Sequence, residues 1–73
     1  MKQYTVVVEP EADGQFSSYV PDLPGCASMG DTYEDALANI RDAIAVHIEG
    51  LRADNLPIPE PRAQVAVVDI DAA

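Results

Sequence analysis

One stretch limits what this chain can become. From Tyr33 to about Ala53 no proline intervenes, and the apolar residues recur at helical spacing. Projected at about 100° per residue, Tyr33, Leu37, Ile40, Ile44, Ile48 and Leu51 share one face, and Ala36 and Ala43 flank it. Asp35, Asn39, Asp42, Glu49 and Arg52 lie elsewhere. Val46 falls on that polar side, and an isolated exposed valine needs no special account. Thr32 can accept an amide bond as N-cap, with Asp35 three residues on in a capping-box-like position. Asp31, Glu34 and Asp35 also put negative charge at the positive end of the helix dipole. The pattern predicts one amphipathic helix with a broad apolar stripe, the form a helix takes when it packs on a sheet.

The remaining segments are short and β-prone. Tyr4 to Val8 is β-branched and aromatic and reads as a strand. Asp13-Gly14 tolerates the left-handed backbone of a tight hairpin turn. Gln15 to Val20 reads as the second strand, and Pro21-Asp22-Leu23-Pro24-Gly25 stops it. Cys26 to Met29 is long enough for a brief third strand. Beyond the helix, Leu56-Pro57-Ile58-Pro59-Glu60-Pro61 favours a stiff, extended connector. Val65, Val67, Val68 and Ile70 mark a final strand over Ala63–Ile70, followed by the frayed tail Asp71-Ala72-Ala73. The expected fold class is α+β: a three-stranded antiparallel sheet, one long amphipathic helix, then a fourth strand, in the order β-β-β-α-β. One helix covers one face of such a sheet. The other face, drawn from Val7 and Tyr19 or from their opposite set, is left for a partner.

At 73 residues the chain is expected to form a single domain spanning 1–73. A core this small rarely supplies more than about 3–5 kcal/mol of net stability and usually has extra support from disulfides, a metal or oligomerisation. Cys26 is the one cysteine and His47 the one histidine, so neither an intrachain disulfide nor a four-ligand Cys/His zinc site can form. Self-association, as a dimer or tetramer, is the support left open. The expected location is the cytoplasm: the N-terminus lacks a secretory-signal pattern, and no apolar run approaches the roughly 18 residues of a membrane span.

The formal net charge is −9, with thirteen acids against Lys2, Arg41, Arg52 and Arg62. Nucleic-acid binders neutralise phosphates with Lys and Arg, so direct DNA or RNA binding is not expected. The field steers a basic partner instead, although acidity also serves plain solubility. Glu9, Glu11, Asp13, Asp22 and Asp31 are the right type to hold Mg²⁺, but they fall in turns and caps without metal-ligand spacing. Asp22 between Pro21 and Leu23 reads as a turn residue bonding its own backbone. Cys26 would act as a nucleophile only with His47 in hydrogen-bond reach; a buried inert thiol is the commoner outcome. No phosphate loop, dinucleotide fingerprint or zinc pattern occurs. Neither an enzyme nor a cofactor is expected.

Pro21-Asp22-Leu23-Pro24-Gly25-Cys26, followed by Gly30-Asp31-Thr32-Tyr33-Glu34-Asp35-Ala36, resembles the HicB-like antitoxin family. Tyr4 with Val6 and Val8, Asp13-Gly14 before Phe16, and Ile58-Pro59 after the helix fit the same pattern, so the likeness spans nearly the whole chain. It implies a partial ribonuclease-H-like fold without nuclease activity, self-association, and a small basic HicA-like toxin that cleaves mRNA as partner. Many family members add a C-terminal DNA-binding domain, and none is expected after Ala73. The signature residues are expected mainly to shape the fold, with contact to the partner as a second role. The alternative is a free-standing oligomeric domain with another protein or small-molecule partner. A metal-dependent nuclease ranks behind both.

Overall fold

The computed structural model describes residues 1–72. Three strands precede one helix: β1 (Val7–Pro10), β2 (Phe16–Tyr19), β3 (Ala27–Gly30) and α1 (Tyr33–Ala53). The sheet is antiparallel in the order β1-β2-β3. A tight loop joins β1 to β2, where the Glu11 amide donates to the Gln15 carbonyl at 2.7 Å and Gly14 adopts φ +87°. That loop sets the register: Val7 lies opposite Tyr19, and Tyr19 opposite Ala27.

The hairpin also explains why β1 begins at Val7 and not at Tyr4. In this register the residues before Val7 face Val20 and beyond, where the chain turns away at Pro21. Tyr4 and Thr5 bond elsewhere: the Tyr4 hydroxyl donates to the Pro59 carbonyl at 2.6 Å and the Thr5 hydroxyl to the Ala63 carbonyl at 3.1 Å.

Strand alternation divides the sheet into two faces. Val6, Val8, Phe16, Ser18, Val20, Cys26, Ser28 and Gly30 share the side where Ser18, Val20 and Cys26 are buried. The helix covers this side with Ala36 and Ile40, which are also buried, and Ala43 and Ile44 pack against the same core. Small residues let the layers approach. A Cβ built on Gly30 would come within 2.9 Å of the Ala36 Cα, so β3 and the first turns of α1 touch backbone to backbone. Phe16 closes that end by meeting the Tyr33 ring edge-on, with centroids 6.5 Å apart. Leu23, from the loop after β2, is fully buried, and burying such a side chain is worth about 1.5–3 kcal/mol.

The helix spans the expected residues. The Asp35 amide donates to the Thr32 hydroxyl at 3.0 Å, closing the N-cap. The helix ends at Ala53 with Asp54 as C-cap, before the prolines. Asn55 takes φ 55°, its amide donates to the Arg52 carbonyl, and the Leu56 amide donates to the Leu51 carbonyl at 2.9 Å. This is the Schellman arrangement that satisfies the last carbonyls. A helix of this length runs about 31 Å, far past four-residue strands of about 13 Å. Its second half, with Ile44, Ile48 and Leu51 half-buried, therefore overhangs the sheet.

The fourth strand expected over Ala63–Ile70 is not formed. A strand exists only with a ladder partner, and this segment has none among the described residues; Val65, Val67, Val68 and Ile70 stand exposed. The partial ribonuclease-H-like expectation thus meets three strands and a helix here, without the fourth strand it included. Ala73, in the expected tail, lies outside the described residues.

Candidate functional site

The signature loop is a structural knot. Leu23 and Cys26 turn inward and are buried, while Pro21, Pro24 and Gly25 face out. Three backbone bonds staple it: Leu23 amide to Val20 carbonyl, Cys26 amide to Leu23 carbonyl, and Val20 amide to Cys26 carbonyl, at 3.0–3.1 Å. Gly25 sits at φ +83°, a backbone conformation that a side chain would strain. Asp22 does not bond its own turn. One carboxylate oxygen, Oδ2, accepts the amides of Arg62 and Ala63, each at 2.9 Å, and so clamps the connector to the loop.

The other signature residues gather at the β3–helix junction. Gly30 permits the close approach to Ala36, Thr32 caps the helix, and Asp31 Oδ1 accepts from the Gln15 side chain at 3.0 Å. Glu34 is exposed in the first helical turn, where its charge suits the dipole. The two groups of signature residues form one continuous turn-strand-cap element and do not converge on a pocket.

Cys26 and His47 line the same shallow depression, together with Ala27, Asp42, Ala43 and Val46. No hydrogen bond joins the two among the described residues. Burial pushes the Cys26 thiol above its ordinary pKa, which disfavours the reactive thiolate. Among the described residues, no three His, Cys, Asp or Glu side chains are grouped to hold a metal ion. Also among them, no helix is long and apolar enough to cross a membrane.

The surface with the clearest chemical pattern is the face of the sheet that the helix leaves open. Its cross-strand rows are graded. Val7, Tyr19 and Ala27 form an apolar row; Glu9, Ser17 and Met29 form a mixed one. Just past the strand ends, Glu11, Gln15 and Asp31 form an acidic row on the same side, tied together by the Ser17–Glu11 and Gln15–Asp31 side-chain bonds. Tyr19 is 44% and Met29 47% exposed, large for residues of a three-stranded sheet. No cation occupies these cross-strand rows. Sequence reasoning reached Val7 and Tyr19 but not Met29 or the acidic end. The signal was present in the hairpin: pairing Glu11 with Gln15 fixes every later row.

Comparison with known proteins agrees with this architecture. The family model described as "HicB_like antitoxin of bacterial toxin-antitoxin system" matches residues 4–72. A UPF0150 protein of Thermoplasma acidophilum is 41% identical over 66 residues, covering 90% of this chain and 96% of that protein. Antitoxin HicB 1 of Photorhabdus laumondii is 37% identical over 59 residues, 81% of this chain but 38% of that longer protein. The crystal structure of the N-terminal domain of the Burkholderia pseudomallei antitoxin HicB superposes with a TM-score of 0.73 at 28% identity, covering 90% of this chain and 94% of that domain. The matched region takes in the loop from Pro21 to Cys26, the Thr32 cap and the helix, and on this evidence the chain belongs to the HicB-like antitoxin family of bacterial toxin–antitoxin systems.

Proposed function

We propose that the chain acts in the cytoplasm as an antitoxin-type binding module that captures and neutralises a small, basic, HicA-like mRNA-cleaving toxin, without catalysis of its own. The observation that carries this is the graded open face of the sheet. Its apolar row, Val7, Tyr19 and Ala27, offers desolvation energy at the centre of an interface, where aromatic side chains dominate affinity. Its acidic row, Glu11 and Asp31 with Glu9 beside them, offers the charge that steers a basic partner and speeds encounter. A protein that cleaves RNA must hold phosphates and is basic for that reason, so the complement fits. Family membership supports the same reading.

The test is co-expression with the small basic reading frame encoded beside this gene. That product alone should arrest growth, and the two should co-purify as a complex that weakens with salt. A harmless neighbour, or one that passes this chain without binding, overturns the reading.

A further inference from the structure

Residues 64–70 are a strand without a sheet. Val65, Val67, Val68 and Ile70 are between 72% and 91% exposed, and they fall on both sides of an extended chain. Strands that are apolar on both sides are ones that end up covered on both. The segment also stretches the molecule. The radius of gyration is 14.3 Å and the longest axis 51 Å, against a radius of about 11 Å for a compact chain of this length.

An acceptor for such a strand exists on the same protein. The Glu11–Gln15 bond fixes which β1 residues face β2: Val7 and Glu9 pair inward, so Val6 and Val8 turn their N–H and C=O groups outward. Among the described residues those groups have no partner. The opposite edge of the sheet is blunted, because the Asn39 side chain donates to the outward Met29 carbonyl at 2.8 Å. Beneath the open edge runs a groove between the N-terminal segment and the helix, walled by Tyr4, Val6, Leu37, Ile40 and Ile44. Lys2 and Arg41 line it, and Arg52 stands in the adjoining depression. Lys2 is ion-paired with Glu60 at 2.6 Å, which leaves Arg41 and Arg52 as the cations of this side. Residues 64–72 carry Asp69 and Asp71 and no cation. The two arginines complement the acids of this tail, and the apolar walls of the groove suit its valines.

We propose that residues 64–70 of one chain add as a strand to the outer edge of β1 of a second copy, and that the exchange is reciprocal. Main-chain bonds to Val6 and Val8 would give affinity, and one face of the added strand would fill the groove, as in strand addition generally. The Asp22 clamp on Arg62 and Ala63 fixes the point from which each tail leaves its own body. Two such exchanges close a two-fold dimer and pair the open edge of β1 in both copies.

The mass of the full chain in solution, followed by light scattering across a dilution series, tests this independently of any toxin. The expected result is a dimer whose dissociation constant rises at least about tenfold in Val67→Asp or Val68→Asp. Both positions are exposed in the single chain, so circular dichroism should show the variants folded. Asp69→Lys and Arg41→Glu should each weaken the dimer severalfold, and combining them should restore part of the loss. A monomer at hundreds of micromolar, or a dimer indifferent to Val67→Asp and Val68→Asp, overturns the proposal. So does a monomer that these variants destabilise, since the strand would then return to its own sheet.

Discussion

Gly30 lies against Ala36 so closely that a methyl group at position 30 would fall 2.9 Å from the Ala36 Cα and 2.7 Å from the Asp35 carbonyl carbon. Both obstacles are backbone, held by the first turn of a capped helix, and cannot swing aside. Gly30→Ala is therefore expected to destabilise the fold by about 1–3 kcal/mol, the usual range for overpacking. Urea unfolding of the two proteins measures it, and equal midpoints would mean that the helix shifts freely on β3.

Asp22 holds the connector by accepting two amides with one oxygen, Oδ2. Bonds to a charged acceptor are worth about 1.5–3 kcal/mol each when buried, and less here because the carboxylate is partly exposed. Asp22→Ala is expected to cost about 1–2 kcal/mol and to speed hydrogen exchange at the Arg62 and Ala63 amides. Unchanged exchange at both would show that the connector is held by Tyr4 and Thr5 alone.

Ser18 is buried on the helix side of the central strand, and its hydroxyl has no partner. A buried unpaired polar group costs free energy, while its size suits the close helix. Ser18→Ala should leave the fold intact and raise stability by up to about 1 kcal/mol. A lower melting temperature would reveal a bond that the hydroxyl makes.

The open face can be probed without touching the core. Tyr19→Asp and Met29→Asp place charge on half-exposed strand positions, so each should cost about 1–2 kcal/mol and leave the core intact, which urea unfolding checks. On the proposed function each should weaken toxin capture by at least about tenfold, the loss of a single anchor of an interface. Glu11→Gln should instead slow association and flatten its salt dependence. Titration of the purified toxin against each variant separates the two effects, and full affinity in Tyr19→Asp would move the interface elsewhere.

The sequence by itself determined the elements whose causes are local. Thr32 caps a helix because its hydroxyl reaches an amide three residues on, and the proline-free stripe to Ala53 carries that helix forward. Asp13-Gly14 makes a hairpin for equally local reasons, and the signature from Pro21 to Ala36 was enough to indicate the family. The proline run after Leu56 marked where the helix must be over, while the left-handed Asn55 that closes it emerged only with the structure.

The tertiary structure decided whatever depends on a partner distant along the chain. Asp22 looks like a turn acid in one dimension and proves to be a clamp on residues forty positions away. Which sheet face stays open follows from pairing register, and register depends on the closed hairpin rather than on any one residue. The valines of 65–68 carry strong strand preference and form no strand, because a strand's backbone groups are satisfied only by a neighbour, which the single chain does not supply.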